Sequence, residues 1–279
     1  MVTEKLQGYK MIKIYTKSKN VDFDSFTFNG GEEHVRILTP VKGQDVVVYA
    51  YIKNSGDVMR LAMVKDALER MEAGNIKLVM PYMPYARQDR VCSYGEAFAV
   101  KIMANMINSM KFSTVTIHDP HSDVTPALID NVDVIAQDIN AFQAVSQVLR
   151  LDHVNADVSN LVIVAPDAGA TKKSEKLAER FKVPMHQALK TRDPSTGKLN
   201  GFRFCGEQSD VKGKDLVICD DICDGGGTFI GLGNVLRELE PKSMTLYITH
   251  GIFSNERNLK ELEDIYDNVV TSFDWRSMK

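Results

Sequence analysis

Apolar residues recur along the chain in two alternating rhythms. Short blocks at 45–52, 76–80, 114–118, 132–136, 161–165, 216–219 and 244–250 have strand length, and 45–52 and 76–80 are apolar enough to read as buried strands. Between them run stretches with helical spacing. In 57–71 the spaced positions are Val58, Leu61, Ala62, Lys65, Leu68 and Met71, and Gly74 follows as a stop. Residues 96–110, 171–181, 229–239 and 255–265 read as further helices, and 140–149 reads as one that Asn140 can cap. Residues 11–15, 35–38, 183–186 and 268–271 read as shorter strands and 202–204 as an edge strand, while 21–28 carries aromatics at every second or third position and leads into a turn. Residues 191–199 are charged, contain Pro194 and Gly197, and read as a loop. Strands alternating with helices predict an α/β fold with mainly parallel sheets. The alternation crosses a weak seam near 137–140, which divides the 279 residues into expected domains 1–139 and 140–279.

Composition narrows the class. Hydrophobic residues make up 44% and charged residues 25%, as in a globular chain with a real core. The net charge of −3 comes from acids and bases mixed along the chain, so nucleic-acid binding has no electrostatic support. No apolar run is long enough to span a membrane, and the first 14 residues are too polar for a signal peptide. Cys92, Cys205, Cys219 and Cys223 lack zinc-site spacing and read as free thiols of a reducing cytosol. A cytoplasmic location is the expectation.

The densest chemistry lies at 216–228. The apolar run Leu216-Val217-Ile218-Cys219 leads into Asp220-Asp221, then Ile222-Cys223-Asp224-Gly225-Gly226-Gly227-Thr228 and a helix. A strand, a tight loop and a helix bring backbone N–H groups and a helix N-terminus to one point, which suits a phosphate. Glycines let the backbone approach closely. The acids repel a bare phosphate, but they suit a ligand that also carries hydroxyls or brings Mg²⁺, as a sugar phosphate does. A glycine turn alone is weak evidence; the paired acids at the strand end strengthen it.

Other polar motifs also follow expected strands, where ligands bind in α/β sheets. The first is Pro81-Tyr82-Met83-Pro84-Tyr85-Ala86-Arg87-Gln88-Asp89-Arg90. Arg87 and Arg90 offer forked charge for phosphates, and Gln88 can donate and accept at a base edge. Chemistry alone equally allows a surface loop whose arginines pair with Asp89. His118-Asp119-Pro120-His121 can ligate a metal or simply cap a strand end. Asp167-Ala168-Gly169-Ala170 is a further strand–loop–helix turn, Lys190-Thr191-Arg192 begins the charged loop, and Phe28-Asn29-Gly30-Gly31-Glu32 is a turn.

The 216–228 stretch resembles the phosphoribosyl-diphosphate (PRPP) motif of type I phosphoribosyltransferases and PRPP synthetases. The 81–89 segment is similar to the ATP-binding Pro-Tyr-x-x-Tyr-Ala-Arg-Gln-Asp of the synthetases, which transferases that only consume PRPP lack. Together with the other motifs, in the same order, these residues resemble the ribose-phosphate diphosphokinase family from Phe28 to about Thr271. The resemblance implies two phosphoribosyltransferase-like domains, each a mainly parallel sheet flanked by helices. It implies transfer of the diphosphoryl group of ATP to ribose 5-phosphate, giving PRPP and AMP for nucleotide biosynthesis, with Mg²⁺ as cofactor.

By the same resemblance Phe28, Glu32, Arg87, Gln88 and His121 would bind ATP. Asp220, Asp221, Asp224, Gly225, Gly226, Gly227 and Thr228 would bind ribose 5-phosphate. Asp167, Ala168 and Gly169 would form the diphosphate loop, and His121, Asp119 and Asp167 would hold the metal. Lys190 and Arg192 would be catalytic, in a flexible loop. His250, in Thr249-His250-Gly251-Ile252-Phe253-Ser254, carries no expected catalytic role. The Phe28 turn would serve a neighbouring subunit, which implies a homodimer or higher homo-oligomer. The chain departs from the family pattern at 122–129, an effector and interface region in many relatives. It also ends at Lys279, where relatives continue for several tens of residues, so a short variant is expected.

Overall fold

The computed structural model describes residues 11–151, 157–192 and 199–277. They divide into two compact units that meet in the chain between Ile135 and Ala136.

In the first unit a five-stranded sheet has the order β1-β4-β5-β6-β7. Its strands are β1 (Ile12–Thr16), β4 (Val46–Ala50), β5 (Ile76–Val79), β6 (Thr114–His118) and β7 (Val132–Ile135). β1 is antiparallel to β4, and the other neighbours are parallel. The chain between β1 and β4 forms a separate ribbon of β2 (Phe23–Thr27) and β3 (Glu33–Ile37). α1 (Ser55–Arg70) and α2 (Ala99–Ser109) connect the parallel strands, and the short α3 (Val124–Leu128) lies between β6 and β7. α1 starts at a reciprocal cap: Asn54 accepts from the Asp57 N–H, while Asp57 accepts from the Asn54 N–H. Leu61, Val64 and Leu68 of α1 are fully buried against Val46, Val48 and Leu78 in one continuous core.

The second unit holds a six-stranded sheet of order β10-β9-β8-β11-β12-β13. Its strands are β8 (Leu161–Ala165), β9 (Met185–Arg192), β10 (Leu199–Cys205), β11 (Asp215–Cys223), β12 (Ser243–Gly251) and β13 (Asn268–Asp274). All pairs are parallel except β9 with β10. Alternate strand residues feed two cores. Val162, Ile218 and Leu246 pack with α7 (Gly227–Arg237) and α8 (Glu256–Ile265). Ile163, Val217 and Tyr247 pack with α4 (Gln137–Val148) and α5 (Thr171–Phe181). Burying a side chain of this size contributes roughly 1.5–3 kcal/mol, which is why the buried run outweighs the acids that follow it in β11.

Two expectations are corrected. α4 begins at Gln137 rather than at a cap on Asn140, and Ala136 occupies the cap position. Asp138 then stands in the first turn, where a carboxylate is favoured, and receives Arg180 of α5 at 2.8 Å. Lys190-Thr191-Arg192 does not open a loop: it completes β9, which pairs with β10 up to Arg192↔Leu199. Residues 193–198 lie outside the described residues, as do the side chains of Thr191 and Arg192. The edge strand β10 supplies backbone partners, and charged side chains are tolerated on such an edge pair.

Candidate active site

β8 and β11 flank the point where the second sheet reverses direction. From β8 the chain adds β9 and β10 on one side, then returns to place β11 on the other. Ligands of open α/β sheets bind beyond the strand ends at such a point. β11 pairs with β8 only as far as Ile218↔Val164, yet continues along β12 to Cys223↔Gly251. Asp220 and Asp221 therefore extend past the end of β8. The expected strand thus runs farther than its apolar block, and both acids are strand residues.

Asp221 is buried and Asp220 part-buried, and the Asp221 N–H donates to Asp220 Oδ1 at 2.9 Å. Burial pushes the Asp220 carboxyl well above the usual carboxylate range; the Asp221 and Asp167 charges push it the same way. Asp167 follows β8 by two residues and organises its own loop. Its Oδ1 accepts from the Ala170 N–H at 3.1 Å, and Lys190 Nζ donates to its Oδ2 at 2.6 Å. Ala168 and Gly169 are exposed at the loop tip. The Lys190–Asp167 pair joins side chains that are 29% and 25% exposed, so solvent screens it and it contributes about 1 kcal/mol or less.

Asp224 and Gly225 lead into α7. Gly226 has φ +80°, and a Cβ there would stand 3.2 Å from Leu262 Cδ1. Asn258 Nδ2 donates to the Gly225 carbonyl at 2.5 Å, and the Ser254 N–H donates to the Asp224 carbonyl at 3.1 Å. The loop is thus held from α8 and from the end of β12. No side chain caps α7, so the N–H groups of its first turn, with the Thr228 hydroxyl, present an anion-binding end. Burial, with Asp220 and Asp224 nearby, pushes the Cys223 thiol up to about 12, which makes it an inert packing group. His250 is buried and stacked on Phe273 at 5.7 Å, as suits a packed histidine.

In the first unit, β5 is followed by the 81–90 segment. Met83, Ala86 and Asp89 are buried, whereas Arg87 and Gln88 are exposed. Tyr85 turns the chain at φ +63°. The His118 N–H donates to the Pro81 carbonyl at 3.0 Å, which ties this segment to the end of β6. Asp89 is the link the sequence did not disclose. The Ser122 hydroxyl donates to it and holds its carboxyl below the usual range, with Arg90 and His121 acting in the same direction. Arg87, Gln88, Asp119 and His121 thus belong to adjoining loops of one unit. Phe28 and Glu32 are exposed on the β2–β3 turn, closed by the Phe28 N–H on the Glu32 carbonyl at 2.8 Å.

Among the described residues no group of three or more His, Cys, Asp or Glu side chains forms a self-contained metal cluster. Mg²⁺ does not require one, since it commonly takes one or two carboxylates and completes its shell with phosphates and water. The repulsion that Asp220 feels from Asp221 and Asp167 is what a hard cation relieves, so these oxygen donors fit Mg²⁺.

An acidic strand end, an uncapped helix N-terminus and a lysine paired with Asp167 stand at the switch point of this α/β sheet. Residues 4–110 match the model of the N-terminal domain of ribose phosphate pyrophosphokinase, and 131–277 match the phosphoribosyl transferase domain. The ribose-phosphate pyrophosphokinase of Mycoplasma genitalium is 31% identical over 250 residues, covering 88% of this chain and 71% of that protein. That of Corynebacterium efficiens is 32% identical over 232 residues, covering 82% and 69%. The phosphoribosylpyrophosphate synthetase structure from Mycobacterium smegmatis superposes with a TM-score of 0.74 at 26% identity, covering 90% of this chain and 80% of that one. The chain belongs to the ribose-phosphate pyrophosphokinase family.

Proposed function

We infer that the protein is a ribose-phosphate diphosphokinase, which converts ATP and D-ribose 5-phosphate into PRPP and AMP. The observation that carries this reading is the Asp220–Asp221 strand end beside the Lys190–Asp167 pair and the open start of α7. The anomeric oxygen of the sugar bonds to the β-phosphorus of ATP. The bond from that phosphorus to the α–β bridging oxygen breaks, AMP leaves with that oxygen, and the hydroxyl proton passes to solvent. Asp220 and Asp221 accept from the ribose hydroxyls and orient the attacking oxygen. Asp224 to Thr228 receive the 5-phosphate through backbone N–H groups and the Thr228 hydroxyl.

Lys190 leaves Asp167 to neutralise charge on the transferring diphosphoryl group, with Arg192 assisting; positioning and cations are what such transfers require. Arg87, Gln88 and His121 bind ATP, and Phe28 and Glu32 take its base. Asp119 and His121 in the first unit and Asp167 in the second would each offer ligands to Mg²⁺, which would supply charge neutralisation at the phosphates. A homo-oligomer, at least a dimer, is part of this reading, with the exposed Phe28 turn serving a neighbouring subunit, and the free thiols suit the cytoplasm. No helix among the described residues is long and apolar enough to cross a membrane. The test is to incubate the pure protein with MgATP and ribose 5-phosphate and to separate the products. Equal amounts of AMP and PRPP are expected, and a folded protein that forms neither would refute the assignment.

A further inference from the structure

We propose that Arg60 of α1 is a positioning residue for nucleotide binding, a brace that fixes the Phe28–Glu32 turn by gripping Glu33 and Thr27 at the ribbon's tip. This rests on the reading of that turn as the base-binding element.

The β2–β3 ribbon has two faces. Phe23↔Ile37, Ser25↔Val35 and Thr27↔Glu33 pair on the core-facing side, and Phe26↔His34 pair on the other. Phe23 and Ile37 are buried at the base of the ribbon. The tip belongs to no larger sheet, so apolar packing alone does not set its direction. On the outer side Phe26 and Phe28 meet edge to face at 4.8 Å, with His34 tilted against Phe26 at 4.8 Å. Phe28 is 50% exposed, an aromatic surface offered to a flat ligand.

Arg60 reaches the tip from the core-facing side. Its Nε donates to Glu33 Oε2 at 2.7 Å, and Nη2 donates to Glu33 Oε1 at 3.0 Å and to Thr27 Oγ1 at 3.3 Å. Its Nη1 donates to Asp57 Oδ1 at 2.8 Å. One guanidinium therefore spans both strands of the ribbon and the capped start of α1. The Glu33 side chain is only 9% exposed. Its carboxylate also lies at the N-terminus of α1, where a Cβ on Gly56 would come within 2.8 Å of Oε1. A fork, a near-buried carboxylate and room left by a glycine together make a rigid joint directly beneath Glu32. Rigidity at that joint lowers the ordering cost of binding a base on the turn.

The test compares wild type with Arg60→Lys and with Arg60→Met/Glu33→Met. The lysine keeps the charge but not the fork, and the double variant removes the pair without leaving either partner alone. MgATP affinity is measured by titration calorimetry, turnover with both substrates by product analysis, and folding by thermal melting. The double variant is expected to weaken MgATP binding and raise KM for ATP about tenfold. KM for ribose 5-phosphate and kcat should stay within twofold, with Arg60→Lys intermediate. MgATP affinity within twofold of wild type in the folded variants overturns the brace, as does an equal loss for both substrates. If the double variant does not fold, Arg60→Lys decides by the same criteria. A wild-type protein that binds MgATP but forms no PRPP overturns the functional reading and leaves the affinity ratios to judge the brace. A wild type that does not bind MgATP overturns both.

Discussion

At the scale of single residues, the second unit places a lysine where it is cheap to move and an aspartate where it is costly to ionise. Lys190 forms a part-exposed pair with Asp167, which the proposed function has it leave for a phosphate. Lys190→Ala should lower kcat by about 10²–10³-fold while ribose 5-phosphate binding changes little. Steady-state turnover with calorimetric sugar-phosphate titration checks this, and unchanged turnover removes Lys190 from the mechanism. Asp220 illustrates the opposite case. An aspartate in the unfolded chain ionises near pH 3.9. Burial, Asp221 and Asp167 hold the folded group above that value. Folded stability from this group is therefore full below the unfolded value and declines as pH rises through the folded one. At neutral pH, without ligand, Asp220→Asn should raise Tm by about 2–4 °C per kcal/mol of repulsion relieved, and should lower turnover. A lowered Tm in the folded variant would contradict this account of the acidic strand end.

At the scale of elements, β11 and its loop form one joint. Gly226 reverses the chain at φ +80° with Leu262 of α8 close behind it. Gly226→Ala should destabilise the protein by about 1–2 kcal/mol through backbone strain alone. It should also weaken ribose 5-phosphate binding, because the start of α7 moves with the loop; denaturant melts and sugar-phosphate titration read the two effects separately. This joint was legible in the sequence because strand, acids, glycines and helix are contiguous, and the apolar alternation showed the parallel α/β order for the same reason. The expected strand at 183–186 and edge strand at 202–204 overlap β9 and β10, but the extension of β9 through Arg192 was not legible, since the charged Lys190-Thr191-Arg192 run hides a strand whose partners are backbone groups across an edge. The start of α4 was hidden likewise, because Asp138 is fixed by Arg180, 42 positions away. The contacts Lys190–Asp167, Arg60–Glu33 and Asp89–Ser122 each join residues distant in sequence. No period or motif encodes them; they arise when strands and helices are brought side by side.

At the scale of the whole molecule, the proposed function assigns one substrate to each unit. Gln88→Ala, in the first, should raise KM for ATP by about five- to tenfold and leave KM for ribose 5-phosphate unchanged; Thr228→Ala, in the second, should do the reverse. Paired substrate titrations of the two variants check this, and crossed effects would refute the division of labour. The central claim is that the diphosphoryl group moves intact from ATP to the sugar. The most direct measurement uses ATP labelled at the β-phosphorus, with ribose 5-phosphate and Mg²⁺, followed by separation of the products. The account predicts label in PRPP in one-to-one proportion with AMP formed. Label recovered in ADP, or as inorganic phosphate or diphosphate with no PRPP, would contradict it.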